Sequence, residues 1–281
     1  MKRILVTGAT GTVGRNVVSQ LLDTGVEVRA MTRDPSTAGL PEVEVVRGDL
    51  TVPETLGPCL DGVDIVFLVW TVPGSAAPAA LDQITKHARR VVLLTSPHQT
   101  PHPLFQQPNP LAALHAELER LITISGVEWT FLRPGMFAAN ARSWWGAQIR
   151  SGNVVRWPYG DAPTAPIHEK DIAAVAVRAL TENGHEGAEY VITGPQSLTQ
   201  REQVEMIGDV IGRSLRFEEI SPEVARRELP FPEAPLNMLL QAWSAAVGQP
   251  ALVTNTVAKV TGNPPRQFSD WVTDNLDAFT R

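Results

Sequence analysis

Cysteine is nearly missing from this chain of 281 residues. Cys59 is the only one, so there is no disulfide framework. It falls in a predicted short helix, as a small apolar residue rather than a reactive thiol. Basic residues are also scarce: 24 Lys and Arg stand against 30 Asp and Glu, for a net charge of −6. Nucleic acid needs a basic face to neutralise its phosphates, which excludes it as the main partner; a local pocket for one cofactor phosphate is still allowed. No apolar run approaches the ~20 residues that span a bilayer, and no leader segment is expected before the first predicted strand. The expectation is a soluble, cytoplasmic protein without a membrane partner. No internal repeat, low-complexity linker or metal-ligating cluster is found either.

What is present is ordinary for a globular core: 43% hydrophobic and 19% charged residues. The chain opens with the apolar run Ile4-Leu5-Val6, followed by Thr7-Gly8-Ala9-Thr10-Gly11-Thr12-Val13-Gly14. Val13, Val17, Val18, Leu21 and Leu22 then recur at helical spacing, and Gly25 supplies a stop. A buried strand therefore enters a glycine-spaced turn in which a helix begins. Gly8 makes the tight turn, Gly11 lets the backbone approach a pyrophosphate, and Gly14 lets helix and strand pack closely. Free N–H groups at the helix start attract phosphate. Glu27–Met31 follows as a second strand, which completes the context that a dinucleotide site requires.

Apolar runs at 43–46, 64–69, 91–95 and 127–132 predict four more strands. Helices are predicted from Pro53, over 78–88 and over 111–125, and the stretch 97–110, with five prolines, reads as a loop. Such alternation implies an α/β fold with a Rossmann-like, doubly wound parallel sheet and right-handed crossovers. Further on, 137–150, 171–182 and 199–212 read as helices, 154–156 and 190–192 as strands, and 220–260 as proline-punctuated helix. The whole of 1–281 is expected to be one NAD(P)-binding domain. Its core takes in about 1–135 and parts of 150–200, and a small substrate-covering lobe comes from about 136–160 and 196–281.

With Thr7 before the G-x-x-G-x-x-G spacing, the turn resembles the loop of extended and atypical short-chain dehydrogenases/reductases. Leu132-Arg133-Pro134-Gly135, His168 to Ala173, Val191 to Pro195 and Val260 to Arg266 resemble the NmrA-like branch of that family. The resemblance implies NADP(H) binding by Gly8, Thr10, Gly11, Thr12, Val13 and Gly14. It places an adenine-contacting pair at Asp49 and Leu50 and the ribose and nicotinamide path along Val69, Trp70, Thr71 and Thr95. Pro134, Gly135 and Phe137 are expected at the nicotinamide end. From the residues themselves, the second strand ends Met31-Thr32-Arg33. A cation there suits the 2′-phosphate of NADP, where a carboxylate would favour the ribose hydroxyl of NAD; Asp34 next door weakens that preference.

Short-chain reductases usually protonate substrate with a tyrosine whose pKa is lowered by a lysine four positions on. Here the two tyrosines are followed at that spacing by Pro163 and Gly194, so the pair is absent. His115 and Glu119 occupy the equivalent order, one helical turn apart. Either His115 is a proton donor, or the two hydrogen-bond each other beneath the site. Ser96 resembles the family serine that orients a substrate carbonyl, while His98, in the proline-rich loop, reads as a surface residue. Trp70, Trp144, Trp145 and Trp157 fall in loop or lid segments, where they either line a slot for planar rings or pack the small lobe.

Three functions remain open at this point. The first is an NADPH-dependent ketoreductase for a large, planar aromatic ketone such as a polyketide of an antibiotic pathway, with the substrate's own hydroxyl assisting proton supply. The second is a quinone or nitro reductase. The third is a non-enzymatic NADP(H)-sensing regulator. The protein is expected to be a monomer or homodimer acting on a small molecule.

Overall fold

The computed structural model describes residues 2–40 and 42–280. Its first half alternates β1 (Arg3–Val6), α1 (Thr12–Leu21), β2 (Glu27–Thr32), β3 (Glu44–Arg47), α2 (Leu56–Leu60), β4 (Ile65–Val69), α3 (Ala77–His87), β5 (Arg90–Leu94), α4 (Pro110–Ile124) and β6 (Glu128–Pro134). Then come α5 (Asn140–Ser151), β7 (Val154–Trp157), β8 (Pro163–Thr164), α6 (Glu169–Thr181), β9 (Ala188–Ile192), β10 (Leu198–Thr199) and α7 (Gln200–Ile211). The chain closes with β11 (Arg216–Glu219), α8 (Pro222–Glu228), α9 (Glu233–Ala246), α10 (Thr256–Thr261) and α11 (Phe268–Asp274).

Seven strands form one sheet in the order β3-β2-β1-β4-β5-β6-β9, and every pair in it is parallel. Strand side chains alternate between faces. Ile4, Val6, Ile65 and Phe67 meet α1 and α6 on one side. Leu5, Val66 and Leu68 meet α2, α3 and α4 on the other. Order reverses between β1 and β4, so a crevice opens above their carboxyl ends, where ligands bind in open α/β sheets. The residues at 190–192 belong to the edge strand of this same sheet.

A third apolar cluster lies beyond the strand ends. It draws on α5, α7, α8, α9 and α11 and on β7. Here the tryptophans part company with the slot expectation. Trp145, Trp157, Trp243 and Trp271 are fully buried, and half-buried Trp144 lies 5.3 Å from Trp243 and 5.9 Å from Trp157 between ring centroids. They pack the lobe. Their wide apolar surfaces gain more from mutual burial than from lining an opening. Trp70 alone of the four singled out faces a cavity.

Other departures have local causes. The helix expected from Phe137 starts at Asn140, because Phe137 bridges to Ile167 and the Ala138 N–H donates to the Ile167 carbonyl at 2.9 Å. Strand β11 pairs parallel with β7; its sequence Arg-Phe-Glu-Glu has too little apolar pattern to announce a strand. Cys59 sits in α2 as expected, buried, with burial pushing its thiol pKa up. Among the described residues no helix is long and apolar enough to cross a membrane, and no cluster of three metal-ligating side chains occurs.

Two segments that carried the family resemblance serve as structural ties. His168 caps α6 by accepting from the Lys170 N–H at 3.1 Å and reaches Asp274 at 3.2 Å. Asp171 accepts from the Arg266 backbone N–H at 2.7 Å and from its guanidinium.

Candidate active site

The β1–α1 turn has the shape its glycines demand. Gly8 sits at φ +58°, in the left-handed region. A Cβ at Gly14 would lie 2.2 Å from the Gly8 carbonyl oxygen, so only glycine allows this approach. A Cβ at Gly11 would lie 3.2 Å from the same oxygen, and the Gly11 N–H donates to the Gly8 carbonyl at 2.9 Å. Gly11 is also the N-cap of α1, with no side-chain cap and no acidic residue in the first turn. The orphan N–H groups of that turn are thus left for an anion.

A cavity of about 350 Å³ opens on this turn. Gly8, Thr10, Gly11, Thr12, Val13 and Gly14 form one wall, and Arg33, Asp49 and Leu50 another. Val69, Thr71 and Phe137 close it toward the sheet, together with Met31, Thr32, Gly48, Val72 and Leu94, which sequence reasoning did not single out. Arg33 is exposed and lines the cavity, whereas Asp34 does not. The Asp34 carboxylate is turned away and caps a short 3₁₀ turn, accepting from the Ser36 N–H at 3.1 Å and its hydroxyl at 2.6 Å. These bonds hold its pKa below the usual carboxylate range. Asp49 is held low in the same way by the Thr51 N–H and hydroxyl, with a smaller contribution from the Arg33 charge. A dinucleotide bearing a 2′-phosphate fits this donor set: glycine turn, uncapped helix start and one cation at the end of β2.

A second cavity, about 330 Å³, adjoins the first and shares Val69, Leu94 and Phe137 with it. The other expected cofactor residues, Trp70, Thr95, Pro134 and Gly135, line this second space, as do Ser96 and His115. Its outer walls come from Leu104, Phe105, Asn109 and Leu111 of the proline-rich loop and the start of α4, and from Met238, Leu239 and Ala242 of α9. None of these was foreseen, since a cavity wall has no motif. Trp70 commits its indole N–H to the Val72 carbonyl at 2.7 Å.

Ser96 follows the end of β5, and its hydroxyl lies 2.8 Å from Nδ1 of His115 on α4. Burial, reinforced by the nearby His98 and partly offset by Glu119, pulls the His115 pKa down to about 4. His115 is therefore neutral near pH 7. Glu119 does not bond His115, contrary to one of the two sequence expectations. It accepts from the Thr95 hydroxyl at 3.0 Å and from Arg133 at 3.1 and 2.6 Å. Arg133 also donates to Glu189 at 2.6 Å. Two buried charges thus neutralise each other beneath the ends of β5 and β6.

His98 corrects a second expectation. Its side chain is only 7% exposed, not a solvated loop group. Nδ1 lies 3.0 Å from the Ser96 carbonyl and Nε2 3.7 Å from Glu119. Ser96 is therefore held through its backbone by His98 and through its hydroxyl by His115.

Comparison with known proteins agrees with this geometry. Residues 8–183 match the NAD(P)H-binding family model. A (4-alkanoyl-5-oxo-2,5-dihydrofuran-3-yl)methyl phosphate reductase of Streptomyces griseus subsp. griseus is 40% identical, over 98% of this chain and 99% of its own. An NAD(P)H azoreductase of Xenophilus azovorans is 34% identical, again over 98% and 99%. The solved NADPH complex of the Escherichia coli quinone oxidoreductase QOR2 shares the fold, with a TM-score of 0.83 at 22% identity, covering 97% of this chain and 99% of that one. The chain belongs to the NAD(P)H-binding family, and its fold is shared by the solved structure of NmrA, a negative transcriptional regulator, with a TM-score of 0.76 at 15% identity. It is an NAD(P)H-dependent oxidoreductase.

Proposed function

We propose that this enzyme reduces planar, conjugated carbonyl compounds, either quinones or aromatic ketones with an adjacent hydroxyl, and prefers NADPH to NADH. The observation that carries the proposal is the Ser96–His115 pair in a mostly apolar cavity that adjoins the dinucleotide cavity. NADPH, when bound, supplies the hydride. The chain's own residues then have two tasks: to place the electrophile and to stabilise the charge that develops on its oxygen.

Ser96 suits the second task. Its hydroxyl can donate to the substrate oxygen while His115 fixes its orientation. Hydrogen bonds aimed at developing charge in a water-poor site are worth several kcal/mol, on the order of 3. Proton supply is another matter. Among the described residues, those lining the cavity include no carboxylic acid, lysine or tyrosine, and His115 is neutral. The cavity holds no ready acid of the usual kind. Electrophiles whose reduced anion is a weak base need none at the moment of hydride addition. A quinone leaves a hydroquinone anion, and an aryl ketone beside a phenol shares an internal hydrogen bond; either anion takes its proton afterwards from water.

Arg33 supports NADPH as the preferred cofactor, because a guanidinium can hold the 2′-phosphate bidentately and the neighbouring carboxylate faces elsewhere. The test is NADPH oxidation, with NADH in parallel, against 1,4-naphthoquinones, ortho-hydroxyaryl ketones and their methyl ethers. Quinones and free phenols should turn over, and each methyl ether should react at least tenfold more slowly than its phenol. Equal rates for unconjugated ketones and these compounds would overturn the reading.

A further inference from the structure

Resting on that reading, we infer that the substrate cavity is built for an uncharged molecule and rejects phosphate esters, unlike the substrate of the 40% identical Streptomyces griseus reductase. That relative's name specifies a methyl phosphate. A bound phosphate dianion needs a cation or a set of free N–H donors facing it. Among the described residues, none that lines the cavity of this chain is a lysine or an arginine.

The possible substitutes are also engaged. His115 carries no charge near neutrality. Arg133 stands beside Pro134 of the lining, yet its guanidinium is buried and divided between Glu119 and Glu189. The start of α4 on the cavity wall is already capped: Asn109 accepts from the Leu111 N–H at 2.8 Å. With its carbonyl oxygen taken, the Asn109 amide retains only its NH₂ for a ligand. Apart from Asn109, the outer wall is apolar: Leu104, Phe105, Met238 and Leu239. Moving a dianion from water against these side chains removes its hydration and returns nothing. A neutral ring with one oxygen at Ser96, and room for a second acceptor at Asn109, matches the chemistry of the lining.

The experiment uses two matched pairs: a 2-hydroxymethyl-1,4-naphthoquinone with its phosphate monoester, and a (4-alkanoyl-5-oxo-2,5-dihydrofuran-3-yl)methanol with its phosphate. Binding to the NADP⁺-loaded protein is measured by calorimetry, and NADPH oxidation is followed separately. Loading with NADP⁺ fills the Arg33 cavity, so that phosphate cannot report on it. Each alcohol should bind at least a hundredfold more tightly than its phosphate, with a matching ratio in kcat/KM wherever turnover occurs. Met238→Arg, which places a cation on the outer wall, should narrow the binding ratio at least tenfold. Phosphates that bind as well as their alcohols would overturn the inference. So would a ratio that Met238→Arg leaves unchanged, since discrimination would then come from shape and not charge. If the alcohols bind selectively but neither is reduced, the inference stands and the carbonyl-reductase reading fails.

Discussion

On the proposed reading, Arg33 is the residue on which cofactor choice turns. It is the cation at the end of β2 that lines the dinucleotide cavity, and the adjacent Asp34 is occupied in capping. Arg33→Asp should raise the Kd for NADPH at least tenfold, about 1.4 kcal/mol, while changing NADH binding little. Fluorescence titration with both cofactors decides it; equal losses for the two would mean that Arg33 does not read the 2′-phosphate. Ser96 and His115 form the second residue-scale case. Because the cavity lacks a ready acid, loss of His115 should cost less than about a hundredfold in kcat, at or below the lower edge of the ~10²–10⁴ expected for a general acid, while Ser96→Ala, which removes a donor to the developing charge, should cost about a hundredfold. The Ser96→Ala, His115→Phe double variant should be little worse than Ser96→Ala, since groups acting as a unit are not additive. An inactive His115→Phe beside an active Ser96→Ala would make His115 the acid.

His115 also ties pH to stability. Its folded pKa, about 4, lies below the ordinary ~6.5. Between those values the unfolded chain binds more protons than the folded one, so stability is lost as pH falls from about 6.5 to 4. The full effect is on the order of 3 kcal/mol. Thermal unfolding against pH should show a shallower acid limb in His115→Phe than in the parent.

At the scale of elements, the β1–α1 unit separates binding from folding. A Cβ at Gly11 meets the Gly8 carbonyl at 3.2 Å, but one at Gly14 would overlap it at 2.2 Å. Gly11→Val should lower Tm far less than Gly14→Val and lose NADPH binding, because its side chain stands where the phosphates approach. Gly14→Val should lower stability itself by several kcal/mol, by forcing α1 away from β1. Circular dichroism melts with NADPH titrations distinguish the two. Full NADPH binding by Gly11→Val would remove the turn from the cofactor site.

At the scale of the molecule, α9 joins the two halves of the function. Its Trp243 and Leu240 lie in the lobe core, while Met238, Leu239 and Ala242 wall the substrate cavity. Trp243→Ala should destabilise by ~3–5 kcal/mol and raise KM for the quinone several-fold. NADPH binding should hold in protein that remains folded, because the dinucleotide cavity is built without α9. Loss of both affinities together would show the lobe and core to be energetically one piece.

What could be read along the chain was what the chain builds locally. The glycine turn needs only residues 4–22, and its form follows from the sterics of Gly8 and Gly14 and the apolar period of α1. Alternating apolar runs likewise determine a parallel sheet, because strands buried on both faces and joined by helices have few other arrangements. The absence of a Tyr–Lys acid pair was settled by position alone. The substrate cavity was different. Its walls come from 69–70, 94–97, 104–115, 134–137 and 238–242, and only the tertiary fold turns these segments toward one another. The same holds for the polar groups. His115 and Glu119 share a helix face, yet their partners, Ser96 on one side and Arg133 and Thr95 on the other, arrive from β5 and β6. Helical spacing brings two side chains together; which groups they bond, and whether a tryptophan fills a core or faces a ligand, depends on surfaces far apart in sequence meeting in the fold.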